Sequence, residues 1–187
     1  MEADWAVEVG GEASWIDVEW EGFVDLRRGG GAVDEIVEAR EHPALRTALM
    51  KLNGPGSPLF TSKCDVWTLE EGIDPLEFDC TAEEARTGLA CYIDVIAREP
   101  GLFGSFAEHE AWARRASLAL RGEPVRRARV DLVVRAAARG ETEGLGVTLY
   151  AAGCGVDSSE AEAAWGEVLR AAVVATMKEA RASSSIG

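Results

Sequence analysis

The densest collection of reactive side chains lies between Ser57 and Cys80, in SPLFTSKCDVWTLEEGIDPLEFDC. Turn-forming prolines bound a strand-like run in which Lys63, Cys64 and Asp65 are consecutive and Trp67 follows two residues later. Along a strand, successive side chains point to opposite faces. Thr61, Lys63, Asp65 and Trp67 should therefore share one face, and Phe60, Ser62, Cys64 and Val66 the other. An ammonium and a carboxylate beside a flat aromatic suit a ligand or partner held by hydrogen bonds, although a cross-strand ion pair is the plainer use. Cys64 falls on the more apolar face, where a cysteine behaves as a small inert hydrophobe.

Cys154 is the better candidate for a reactive thiol. Gly153 and Gly155 allow close backbone approach, and the position between a strand end and a helix start favours a depressed thiol pKa, with Asp157 opposing it. A nucleophilic cysteine needs a base, and the chain has two histidines, His42 and His109, neither linked to Cys154 by local spacing.

A third constellation is basic. Arg127, Arg129 and Arg135 alternate with apolar residues and share a face with Asp131; Thr148 and Tyr150 should lie across a hairpin from them. Such a face offers a guanidinium fork to an anion, or is a solvent face neutralised by ordinary ion pairs. Lys63, Asp65, Trp67, Arg127, Arg129 and Tyr150 are thus the candidate ligand or partner contacts.

Other groupings point away from common activities. Glu70, Glu71, Asp74, Glu77 and Asp79 form an acidic loop that could bind a hard cation or act as acid and base. Its spacing lacks the alternation and glycine of a calcium loop, and a solvated loop is expected. Cys64, Cys80, Cys91 and Cys154 have no zinc-site spacing, so neither metal nor cofactor is expected. Gly29–Gly31 precede a helical pattern, as in a phosphate cradle. No Gly-Lys-Ser/Thr ending follows, and Asp34 and Glu35 would repel a phosphate.

Composition sets the outer bounds. The 187 residues, 47% hydrophobic and 28% charged, suit a single globular domain over residues 1–187. A net charge of −14 disfavours nucleic acid or an anionic membrane as partner. Charge is uneven: residues 98–139 hold nine arginines against five acids, leaving the remainder more acidic still. No apolar run is long enough to span a bilayer and the acidic N-terminus does not read as a signal peptide, so a cytoplasmic location with reduced thiols is expected.

The elements that must position these residues follow from periodicity. Val7 and its neighbours, then Ser14–Trp20, alternate around Gly10-Gly11 and predict an N-terminal hairpin, with Trp15 and Trp67 on the side away from the helices. Helices are predicted over 33–40, from Pro43 to Leu52, from Thr81 (with Glu84 as a capping box) to Ile96, and from Ser105 to Arg121. Residues 128–136 and 145–151 predict an antiparallel hairpin, and a long helix begins near Ser159, with a frayed tail over 183–187. The expected fold is α+β, one mainly antiparallel sheet of four to five strands with helices packed on one face; a three-layer α/β arrangement is the alternative. The expected function is non-catalytic, a protein-interaction or accessory domain whose open sheet face meets a partner or a second copy in a homodimer. The alternative is a small enzyme or anionic-ligand binder, sited between residues 57–80 and the hairpin 127–150.

Overall fold

A computed structural model describes residues 1–10, 14–16, 23–28, 30–70 and 72–184. The Trp15 side chain, the strand expected to continue to Trp20, Gly29, Glu71 and residues 185–187 lie outside the described part.

The chain forms strands β1 (Glu2–Val7), β2 (Ser14–Ile16), β3 (Leu59–Leu69), β4 (Thr87–Ala97), β5 (Ala128–Arg139) and β6 (Thr142–Gly155). Its helices are α1 (Val37–Glu41), α2 (Pro43–Asn53), α3 (Pro100–Gly104), α4 (Phe106–Arg121) and α5 (Ser158–Ser184). One sheet runs in the order β1-β5-β6-β4-β3, with β2 pairing β5 beyond β1. The β3-β4, β4-β6 and β5-β6 pairs are antiparallel, while β1 and β2 run parallel to β5. This is the expected α+β arrangement, mostly antiparallel, with helices packed against the sheet.

The pleat sorts the side chains. On β5, Ala128, Val130, Leu132 and Val134 are fully buried, and on β6 and β4 Leu149, Ala151, Cys91, Ile93 and Val95 share their face. These residues meet a helical layer in which Trp112, Trp165, Leu120, Leu169 and Ala172 are also buried. Removing such side chains from water stabilises the fold by about 1.5–3 kcal/mol each. The layer comes unusually close to β6. A Cβ built on Gly153 would lie 2.2 Å from the Trp165 backbone nitrogen, so α5 rests directly on the strand.

The opposite face is not uniformly open. β2 lies across β5 from β6, yet its backbone also runs close to that of β3. On a flat sheet β2 and β3 would be four strand spacings apart, roughly 19 Å. The sheet therefore curls at this end, and Ile96, Ala137, Thr148 and Asp94 are buried there on the face away from α4 and α5. Thr148 Oγ1 donates to Asp94 Oδ1, satisfying both buried groups. At the other end the same face stays concave and accessible.

Three expectations change. Among the described residues β1 and β2 do not pair as an N-terminal hairpin but both add to β5; pairing there places Ala3 and Trp5 under α4. The predicted helix 81–96 is instead a turn followed by β4. Thr81 N does donate to Glu84 Oε2, and Glu84 N to Thr81 O, but the turn ends and the chain extends from Thr87. β4 is central and covered on both faces over much of its length, so its apolar residues run almost continuously and match a helical period by coincidence. Finally, α5 extends through Ser184, and its last turn is held by Arg115, which donates to Ser183 Oγ at 2.8 Å and pairs with Glu179 at 2.7 Å.

Candidate functional site

The accessible end of the helix-free face is built by three strands and one connecting segment. Asp65 and Trp67 alternate on β3 and face the same way as Ala90 and Tyr92 on β4 and Tyr150 on β6. Tyr92 and Tyr150 are direct cross-strand partners with ring centroids 6.2 Å apart, and Trp67 lies 6.4 Å from Tyr92 at a tilt. Such tilted aromatic pairs contribute about 0.5–1.5 kcal/mol beyond their buried area. Small Ala90 opposite Trp67, and Ala152 beside Tyr150, leave a hollow where larger side chains would fill it.

Arg129 and Asp131, two apart on β5, point into this hollow. Arg129 donates through Nε to Asp131 Oδ2 at 2.6 Å and through Nη2 to Oδ1 at 3.1 Å. Its Nη1 also meets Glu77 Oε1 at 3.0 Å. The bidentate bond to Asp131, with Glu77 adding attraction, raises the guanidinium pKa well above its usual value.

Glu77 comes from the segment joining β3 to β4, which roofs the hollow. Gly72 opens it with φ +72, a conformation that a side chain would strain. Asp74 Oδ1 accepts from Leu76 N at 3.0 Å, and Pro75–Phe78 make one 3-10 turn. Asp79 closes the turn with φ 50, and Cys80 N donates back to Pro75 O at 3.1 Å. Phe78 is buried and anchors the segment. The resulting cavity measures about 350 Å³, with Trp67, Leu69, Ile73, Phe78 and Tyr150 as its apolar walls. Among the described residues, Asp74, Glu77 and Asp131 line it against one guanidinium, Arg129, a formal excess of two negative charges.

Of the residues singled out in the sequence, Trp67, Arg129 and Tyr150 meet in this cavity. Lys63 and Asp65 do not. The register of β3 shifts between Thr61 and Cys64, a bulge that leaves Cys64, Val66, Asp65 and Trp67 on the faces expected but reverses Phe60 and Thr61. Lys63 sits in that bulge and lines a second cavity of about 290 Å³ with Phe23, Val24, Glu38 and Cys64. Asp65 is exposed, its Oδ1 accepting from Val66 N at 2.7 Å. Arg127 leaves the arginine face altogether: it precedes β5 with φ 54 and pairs with Glu160 on α5.

The thiols also differ from expectation. Cys154 is fully buried, and burial, with the Cys80 thiol beside it, pushes its pKa up to about 12 rather than down. Burial likewise pushes Cys64 and Cys91 up to about 12. His42 stacks edge-on against Trp165 and His109 is enclosed in α4 with its Nδ1 3.0 Å from Ser105 O, so neither stands beside Cys154. Among the described residues, no cluster of His, Cys, Asp and Glu is arranged to hold a metal ion, and no helix is long and apolar enough to cross a membrane.

Sequence reasoning missed Tyr92 and the roof. Tyr92 was hidden by the helical reading of β4, whose nearly continuous buried run masks the strand period. Glu77 and Asp74 were visible only as members of an acidic loop, and nothing local says that the loop folds back over β5. Comparison with models of known protein families, with curated proteins and with solved structures finds no match to this chain.

Proposed function

We propose that this chain is a non-catalytic binding domain whose ligand is a small organic cation with a flat or aliphatic body. The observation that carries the reading is the roofed hollow, in which Trp67 and Tyr150 stand with three carboxylates against one guanidinium. Its volume falls in the range of small-ligand pockets, roughly 300–1,000 Å³. An aromatic wall attracts a cation by about 0.5–2 kcal/mol, more as water is excluded. An anion is less suited, because Arg129 already serves Asp131 and Glu77 and would have to release one of them. The concave shape supports a ligand site over a flat partner surface.

Calorimetric titration with 2-phenylethylammonium, 3-phenylpropionate and 2-phenylethanol tests the reading. The ammonium compound should bind most tightly, and Trp67→Ala should weaken it. Stronger binding of the carboxylate, no binding of the ammonium, or an unchanged affinity in the variant would overturn the proposal.

A second reading, docking of a protein partner or a second copy, rests on one observation. Among the described residues β3 is the last strand of the hydrogen-bonded order, and Trp67 on it is 38% exposed. Sedimentation at micromolar concentration distinguishes self-association from a monomer.

A further inference from the structure

The segment that roofs the cavity is attached to the sheet at a second point, and that point is chemical. Cys80 Sγ lies 3.7 Å from Cys154 Sγ, and both thiols are free. The two are held to different degrees. Cys154 sits in β6 between Gly153 and Gly155, against which α5 is packed so closely that a Cβ on either would meet helix backbone. Its own backbone is fixed by Cys154 N donating to Arg127 O at 2.9 Å. Its side chain projects to the opposite, helix-free face, as Ala152 does. Cys80 follows the roof turn directly, held by one backbone bond to Pro75 O and a long thiol contact to the same oxygen at 3.7 Å. Cys80 is partly exposed and Cys154 is buried.

We propose that Cys80 and Cys154 are an oxidative modification site, closing to a reversible disulfide that pins the roof to β6. The oxidant is a low-molecular-weight disulfide such as oxidised glutathione. The Cys80 thiolate attacks one sulfur of the reagent, forming a mixed disulfide and expelling one thiol. Cys154 then attacks Cys80 Sγ as its proton passes to the departing thiolate, and the second thiol leaves. Two protein thiols are oxidised and one reagent disulfide is reduced to two thiols. Bond formation requires the sulfurs to close from 3.7 Å to ~2 Å, a movement that the less constrained partner, Cys80, can supply. Cys64 and Cys91 stay out of this reaction: both are turned toward the helical side of the sheet, in register with buried Ile93 and Ala151. In a reducing compartment such a bond is transient and regulatory rather than structural.

The thiol pair is independent of what the cavity binds. Native protein is incubated with oxidised glutathione, quenched with acid, and counted for free thiols before and after reduction. The count should fall from four to two, with peptide mass mapping giving a Cys80–Cys154 link that dithiothreitol reverses. Cys154→Ser should instead stop at a stable glutathione adduct on Cys80, and Cys80→Ser should leave Cys154 unmodified. Hydrogen exchange across residues 72–80 should slow in the oxidised protein, since the roof can no longer lift. A persistent Cys80 adduct in the unsubstituted chain, linkage through Cys64 or Cys91, or unchanged exchange in the roof would overturn the proposal.

Discussion

Arg129 bridges two parts of the chain that sequence alone keeps apart: its fork grips Asp131 on its own strand while Nη1 reaches Glu77 Oε1 on the roof at 3.0 Å. Glu77 is about half exposed, so this ion pair contributes little to global stability, on the order of 0–1 kcal/mol. Its effect is local. Glu77→Gln should leave the urea midpoint nearly unchanged, yet loosen the roof and expose Trp67 to acrylamide quenching. It should also improve 3-phenylpropionate relative to 2-phenylethylammonium, because a carboxylate is removed beside a freed guanidinium edge. A large loss of stability, or an unchanged preference between the two compounds, would count against the roof as described.

The two faces of β5 should respond differently to truncation. Leu132 is fully buried beneath the helices, and Leu132→Ala should cost about 2–5 kcal/mol through lost burial and the cavity left behind. Arg129 is about one-third exposed, and Arg129→Ala should cost far less because Asp131 and Glu77 can be hydrated in its place. Equal losses in chemical denaturation would mean that both faces are buried to the same degree.

How much of this was legible in the sequence depended on burial. β5 and β6 alternate cleanly because one face is covered and the other carries Arg129, Asp131 and Tyr150, and their pairing was readable. α4 begins where Ser105 and Glu108 place it, the cap bond from Glu108 N to Ser105 Oγ being 3.3 Å. β4 was misread because Ile93, Asp94, Val95 and Ile96 are all buried, which erases the period that marks a half-wet strand. The site suffered most from long-range contacts. That Glu77 would meet Arg129, or Cys80 meet Cys154, follows from the path of a loop across a curled sheet, and no spacing along the chain encodes it.

His109 gives the fold a pH dependence of definite sign. It is fully buried in α4, and burial lowers its pKa below the ordinary 6.5, with the carbonyls of Ser105, Leu145 and Leu102 acting in the other direction. The unfolded chain takes up a proton near 6.5, while the folded chain does so only at lower pH. The native state is therefore at full strength above that value and loses stability as pH falls through it, until the folded imidazole also titrates. The slope approaches about 1.4 kcal/mol per pH unit at most. Urea midpoints followed from about pH 7.5 down to about pH 5.5 should fall more in the native chain than in His109→Leu. Parallel curves would place the titration elsewhere.

The contact of α5 with β6 predicts opposite outcomes at two glycines. At Gly153 a methyl group would overlap the Trp165 nitrogen at 2.2 Å and the Ala164 carbonyl carbon at 2.7 Å, all backbone of a helix pinned by buried Trp165, Val168 and Leu169. A flexible side chain could swing aside, but helix backbone cannot, so Gly153→Ala should cost at least the ~1–3 kcal/mol of ordinary overpacking. At Gly166, on the helix itself, the added methyl would meet Ala44 Cβ at 3.5 Å, an ordinary contact. There the gain in helix propensity dominates, and Gly166→Ala should be neutral or stabilising by about 0.5–1 kcal/mol. Thermal melts of the two variants separate the cases. If both alanines were tolerated alike, α5 would have to stand further from β6, and the fixed position of Cys154 opposite Cys80 would lose its support.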